Sequence, residues 1–424
     1  MERAVARQNL LKKYIPVVRD YFTMNRRAAS SEDLCKFLPT GGYTIYVHIP
    51  FCEKVCRDCP FDRDSNLEGM EKYADYLAGE IDLLGSCGAN EEARLDSIYV
   101  GGGTPSLLPV NSLAKIMEKL KRYFIKDHDP EISLEMNPSS FEPGKLAAYR
   151  DMGINRLSLG VQSFNEAPLQ EMGRTYTADT ARYAVQEMAR AGWNFNIDLM
   201  YGFDSQTPRM FYDDVDYAIG SGVSHIAAYN LHRSMSRDEK ERALSDQSEM
   251  YYYIRTVFEK AGFINYFISE FARSEDTICR YTNLRFELPR RENLCFGTSG
   301  NGGLKNAGIF KKFTGMDSYM KSIDKGAFPA FFFHSDDPRI PLTLFLMNML
   351  RSTGKIDSAL FKQQFGMDPT EIEFMRDLEK YGFILIEEDL LSKKISVNED
   401  FSFQYNAFYN DIRYSGNEVV NKGK

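Results

Sequence analysis

The 424-residue sequence predicts an α/β protein, a partial (β/α)6 barrel followed by a small winged-helix-like domain. Two observations carry the barrel: six short apolar, β-branched runs between residues 43 and 303, and helical patterns in the gaps between them. A change of pattern after about Ala330 carries the second domain.

Residues 1–42 begin MERAVARQNLLKKYIPVVRDYF and read as an N-terminal helical extension. The barrel and its extension occupy 43–330. TIYVH at 44–48 is the first strand, followed by DSIYV at 96–100, EISLEM at 131–136, INRLSLG at 154–160, FNIDLMYG at 195–202 and HIAAYNL at 225–231. Each is apolar enough to be buried on both faces, as strands of a parallel sheet are. Between them, YADYLAGEIDLL, NSLAKIMEKLKRYF and TARYAVQEMARAG place apolar residues at three- and four-residue spacing. Right-handed crossovers make the strands parallel, and functional groups then belong on the loops at their C-terminal ends.

Residues 331–414 contain three helical stretches and a hairpin pattern, ILIEEDLLSKKISV. Winged-helix modules often bind DNA, but Glu371, Glu373, Asp377 and Glu379 crowd the third helical stretch and would repel phosphates. A lid or docking role is expected instead. Residues 415–424 read as a frayed tail.

A formal net charge of -8 argues against nucleic acid or an anionic membrane as the main partner. No stretch reaches the roughly 18 apolar residues of a membrane span, and the N-terminus lacks the apolar core of a signal peptide. The expected location is cytoplasmic. Seven cysteines are too sparse for a disulfide framework, and three fall within eight residues. Cys35, Cys87, Cys279 and Cys295 are scattered and read as buried thiols.

The segment Tyr46-Val-His-Ile-Pro-Phe-Cys52-Glu-Lys-Val-Cys56-Arg-Asp-Cys59 puts three thiols in one loop directly after a strand. Such a C-x3-C-x2-C loop can hold three corners of a cubane iron–sulfur cluster, because iron in these clusters prefers thiolate ligands. The missing fourth ligand leaves one iron open, and S-adenosylmethionine (SAM) can fill it through its amino and carboxylate groups. Zinc would want a fourth Cys or His, and none stands at the usual spacing. His48 is better placed to support the loop.

Gly101-Gly102-Gly103-Thr104-Pro105 follows the second strand, where glycines let backbone amides approach a ligand. Glu135, Asn137, Gln162, Arg174 and Asp198 are polar residues in or beside otherwise apolar strands. Singly, each is as well explained by a satisfied core hydrogen bond. Together on one rim they suit a charged organic ligand such as SAM.

The motifs YVHIPFCxxxCxxC, GGGTPS, GINRLSLGVQSFN and NIDLMYGF together resemble the oxygen-independent coproporphyrinogen III dehydrogenase (HemN-like) family of radical SAM enzymes, from about Tyr43 to Gly303. The resemblance implies a radical SAM barrel and a [4Fe-4S] cluster on Cys52, Cys56 and Cys59. It also implies reductive cleavage of SAM to a 5'-deoxyadenosyl radical and an electron donor such as flavodoxin or ferredoxin. By the same resemblance Tyr46, Gly102 and Glu135 contact the cluster-bound SAM. Gly103, Thr104, Gln162, Arg174 and Asp198 line a second SAM or the substrate pocket. A mutual ion pair is the alternative for Arg174 and Asp198.

Departures from the family pattern select among its members. Phe61 stands where the dehydrogenase resembles C-x3-C-x2-C-x-C, and Asp58 replaces an aromatic residue before the third cysteine. Heme-chaperone relatives carry H-N-x-x-Y-W, whereas this chain reads Thr282-Asn283-Leu284-Arg285-Phe286-Glu287. That leaves Cys295, His232 or His225 as heme ligands in a carrier. YTNLRFELPRRENLCFGTSGNGG loosely resembles the glycine-rich segment of the family's heme-opening members. The leading expectation is radical methylation or alkylation of a small conjugated or tetrapyrrole substrate using one or two SAM molecules. A dehydrogenase-type oxidoreductase and a heme chaperone without turnover are the alternatives.

Overall fold

The computed structural model describes residues 2–24, 26–57, 59, 61–88, 90–126, 129–231, 237–285, 291–333, 339–352, 354–388 and 393–398. Asp58, His232, residues 286–287 and the 415–424 tail lie outside them.

The chain runs α1 (Glu2–Met24), β1 (Arg26–Ala28), β2 (Gly42–Ile49), α2 (Met70–Gly85), β3 (Arg94–Gly102), α3 (Val110–Phe124), β4 (Glu131–Met136), α4 (Lys145–Asp151) and β5 (Arg156–Gln162). It continues through α5 (Glu166–Met172), α6 (Ala178–Arg190), β6 (Phe195–Tyr201), α7 (Pro208–Gly220), β7 (His225–Asn230), α8 (Arg237–Lys260), β8 (Ile264–Phe267), β9 (Glu270–Ala272) and α9 (Arg280–Leu284). Then come β10 (Glu292–Phe296), β11 (Asn301–Leu304), β12 (Gly308–Lys312), α10 (Met316–Asp324) and β13 (Ala330–Phe333). The last elements are α11 (Arg339–Ser352), β14 (Lys355–Asp357), α12 (Ser358–Phe365), α13 (Glu373–Lys380), β15 (Ile384–Glu388) and β16 (Lys393–Val397).

Strands β2 to β7 pair in sequence order and all in parallel. These are the six runs read from the sequence, with α2, α3, α6 and α7 among the helices of the crossovers. β10 adds a further parallel strand beside β2, and β11, β12 and β13 continue antiparallel. β9 pairs antiparallel with β7 at the other end, so the barrel is partial.

The helices bury the stripes their spacing predicts. α3 buries Leu113, Ile116, Met117, Leu120 and Phe124, each worth roughly 1.5–3 kcal/mol relative to exposure. Thr177 and Thr207 cap α6 and α7 by accepting from Thr180 N and Met210 N. Inside the strands, the breaks in burial include Tyr46, Tyr99, Glu135, Asp198 and Tyr229, beside Asp96, Gly160 and Met200. In a parallel strand buried on both faces, polar or aromatic side chains at such breaks are candidates for the site.

The second compact unit comprises Met1–Arg27, Tyr266–Ile268 and Phe333–Lys424. In it β14, β16 and β15 form an antiparallel sheet, with α11 to α13 in the same unit. Part of its acidity is already used: Lys13 meets Glu373 at 2.7 Å and Asp377 at 2.6 Å, and Tyr14 OH donates to Asp377 at 2.7 Å.

Cys35 and Cys87 form a disulfide with Cα atoms 5.6 Å apart, which corrects their reading as separate buried thiols. Fifty-two residues separate them in sequence, so spacing gave no sign that the fold brings them together. Cys279 and Cys295 are buried thiols, as expected. Among the described residues no helix is long and apolar enough to cross a membrane.

Candidate active site at the barrel mouth

The three clustered cysteines sit on the loop leaving β2, at the C-terminal end of the sheet. Its neck is closed by main-chain bonds, Cys52 N to Asp64 O at 3.0 Å and Asp64 N to Pro50 O at 2.7 Å. Arg57 N donates to Met172 O at the end of α5, which docks the loop against the neighbouring unit. Cys52, Cys56 and Cys59 are all free and partly exposed. Burial pushes the Cys52 thiol up to about 11, Thr104 opposes this, and the thiols of Cys59 and Cys56 add to it. The three groups are therefore neighbours. Among the described residues no His, Cys, Asp or Glu side chains gather as ligands of one metal ion would. Thiols spread over a loop suit the corners of a larger group.

The glycine run is required by packing as well as by any ligand. A Cβ on Gly103 would fall 2.5 Å from Phe51 O and 2.9 Å from Cys52 Sγ. One on Gly102, at φ +126°, would meet the His48 ring and Ile49 O at 2.8 Å. Gly103 N and Thr104 N donate to Ile49 O and Phe51 O. The end of β3 is thus pressed against the base of the cysteine loop, and Thr104 Oγ1 lies 4.0 Å from Cys52 Sγ.

Glu135 accepts from Gly102 N at 2.8 Å and from the Tyr99 hydroxyl, yet burial still holds its carboxyl above the usual range. Tyr46 stacks with Tyr99 and Tyr281, with ring centroids 6.3 and 5.9 Å away, and its hydroxyl lies 3.1 Å from His48 Nδ1. Asp198 accepts from Asn196 Nδ2 at 2.7 Å, and burial, reinforced by the charge of Glu135, pushes it up to about 7. Two carboxylates held above their ordinary range beside one space are a place for a cation.

Gln162 ends β5 at φ +65°, a strained conformation for a residue other than glycine. The residues that follow it are anchored by a group the sequence did not point to. Asp214 of α7 accepts from Ser163 Oγ at 2.6 Å, Phe164 N at 2.7 Å and Asn165 Nδ2 at 2.8 Å. Asn137 is a cap, accepting from Ser139 N at 3.1 Å, so a structural role accounts for it.

Arg174 and Asp198 make no ion pair with each other. Arg174 follows the left-handed Gly173 that ends α5 and faces the cysteine loop. Burial alone would lower it, but Tyr176 and the three thiols outweigh that and leave it above its ordinary value. Its buried Nε has no hydrogen-bond partner among the described residues.

The Asp198 environment has a measurable consequence. With a folded value near 7 against an ordinary 3.8, the folded state binds more protons than the unfolded one between those limits. The stability Asp198 contributes is thus present at acid pH and lost as pH rises through 7. Asp198→Asn should raise the melting temperature relative to wild type more at about pH 8 than at about pH 5. A pH-independent difference would show that Asp198 ionises as it does in water.

The Radical SAM superfamily profile matches residues 46–218. The heme chaperone HemW of Buchnera aphidicola subsp. Schizaphis graminum is 36% identical over 190 residues, 44% of this chain and 50% of that protein. HemW of Bacillus subtilis is 26% identical over 366 residues, 80% of this chain and 92% of that one. The chain thus spans about half the length of the first relatives it matches. The solved structure of coproporphyrinogen III oxidase (HemN) from Escherichia coli superposes with a TM-score of 0.73 at 20% identity, over 90% of this chain and 92% of that one.

Residues 46–218 thus form a radical SAM domain, of a superfamily whose cofactors are a [4Fe-4S] cluster and SAM. Within that superfamily the proteins the chain resembles, in sequence and in fold, are HemN/HemW-like.

Proposed function

We propose that this chain is a radical SAM enzyme acting on a small conjugated substrate of the tetrapyrrole class. The observation that carries it is the loop of three free, partly exposed thiols, set against the Gly101–Thr104 turn and the buried Arg174. Cys52, Cys56 and Cys59 would hold the cluster. Tyr46, Gly102 and Glu135 would hold the amino acid and ribose side of SAM, and Gly103, Thr104, Gln162, Arg174 and Asp198 a second SAM or the substrate. Together, the cluster and SAM supply one-electron reductive cleavage of the sulfonium to methionine and a 5'-deoxyadenosyl radical. The electron would come from a donor such as flavodoxin or ferredoxin. Around them the chain's own residues orient and exclude water: Arg174 offers a fixed guanidinium to an anion, and Glu135 and Asp198 face a cation.

The names of the sequence relatives favour a second reading, heme carriage without turnover. Two of the ligands left to such a carrier are occupied: Cys295 Sγ donates to Asn301 O at 2.6 Å, and buried His225 meets Asn196 Oδ1 at 2.6 Å. Methyl transfer has less support than the sequence suggested. It asked Arg174 and Asp198 to form one SAM site, and they face different neighbours; no sequence relative named above is a methyltransferase.

Reconstituted, reduced protein given SAM should release 5'-deoxyadenosine in excess over protein. Stoichiometric binding of added hemin with no 5'-deoxyadenosine would establish the carrier instead. SAM labelled in its methyl group separates the two enzymatic outcomes: label enters the product in methyl transfer and stays in methionine in a dehydrogenase-type oxidation.

A further inference from the structure

The turn Gly297-Thr298-Ser299-Gly300, between β10 and β11, is framed by more buried polar structure than a connection of that length requires. Gly297 N donates to Glu80 Oε2 at 2.8 Å, and Thr298 N to Tyr73 OH at 3.1 Å. Tyr73 OH in turn donates to His48 O at 2.7 Å. Glu80 also receives Lys312 Nζ and, at 2.6 Å, Tyr319 OH, and both charged side chains are wholly buried. Gly297 lies at φ +84°, where a Cβ would come within 2.5 Å of His48 O. The turn is therefore a rigid base pressed against the end of β2.

From that base one side chain reaches out. Ser299 holds a left-handed backbone, φ +62°, which is costly for a serine and places its hydroxyl on the carboxylate of Asp62. Asp62 lies three residues after Cys59, and its carbonyl is 3.1 Å from His48 Nε2. Two residues further on, Asp64 closes the neck of the loop onto Pro50 and Cys52. The return limb of the cysteine loop is thus fixed at its end by main-chain bonds and in its middle by Ser299 and His48.

We propose that Ser299 is a positioning residue for the iron–sulfur cluster, acting through Asp62 to set where Cys59 stands; this rests on the reading of the three cysteines as cluster ligands. Groups that orient metal ligands from behind typically change metal affinity by about 10–100-fold when lost. The strain at Ser299 fits such a role, because glycine would satisfy the turn without it.

The substitutions follow from that strain. Ser299→Gly keeps the left-handed backbone and removes the hydroxymethyl group with its donor; Ser299→Asn also tolerates the backbone and restores a donor. Wild type and both variants are reconstituted anaerobically, and iron loss to an added chelator is followed beside the melting temperature of the metal-free chain. The glycine variant should lose iron about tenfold faster with a melting temperature no lower than that of wild type, and the asparagine variant should lose it close to the wild-type rate. A glycine variant that releases iron at the wild-type rate overturns the proposal. So does an asparagine variant that releases it as fast as the glycine one. Cys59→Ala, run alongside, tests the cluster reading separately: full iron content there would sink that reading whatever Ser299 does.

Discussion

Replacing any one of Cys52, Cys56 or Cys59 with alanine should remove the cluster and abolish SAM cleavage while leaving a folded chain. Two thiolates cannot hold a cubane that also keeps one iron open. No other cysteine among the described residues can take over: Cys35 and Cys87 are joined to each other, and Cys279 and Cys295 are buried. Folding should survive because the loop is tied by bonds that need no metal, from Cys52 N to Asp64 O and from Arg57 N to Met172 O. Iron and sulfide per chain, 5'-deoxyadenosine release and a thermal melt would be measured together. A single variant with full iron and full cleavage would mean that the ligand set is misassigned.

The parts of the fold visible in the sequence are those with local periodicity. Six runs such as EISLEM and FNIDLMY declare themselves because a doubly buried strand is continuously apolar, and the observed strands fall on them. The cysteine spacing is local too, and Glu135 and Asp198 stood out as acids inside apolar strands. The contacts that fix the site's surroundings join residues far apart, and nothing periodic marks them. Asp214 looks like one more acid on a charged helix, but it anchors the segment after Gln162. Ser299 sits in a glycine-rich run that reads as a loop, and its link to Asp62 spans 237 residues. Arg174 was legible as a site residue, but its neighbours were not: a residue after a helix's C-terminal glycine can face several directions, and the packing of α5 on the cysteine loop decides which.

Glu80 left a trace that could have been followed. In α2 the buried positions are Tyr73, Ala74, Leu77, Ala78, Glu80, Ile81 and Leu84, so a carboxylate occupies the stripe that packs inward. An acid there must be paired. Its partner is Lys312, 232 residues away, which also lies 3.5 Å from the centre of the Phe328 ring. Glu80→Ala should therefore cost the metal-free chain about 3–5 kcal/mol, because it strands a wholly buried ammonium. It also takes the acceptor from Gly297 N and Tyr319 OH. Glu80→Gln keeps an acceptor for those two donors but still leaves Lys312 without its counter-charge. Adding Lys312→Met to Glu80→Gln removes the stranded charge at similar volume, so the double variant should be more stable than Glu80→Gln alone. Denaturant unfolding of the three proteins decides it. A cost for Glu80→Ala below about 1 kcal/mol would mean that water reaches Lys312, and the turn that carries Ser299 would then lack the rigid base described for it.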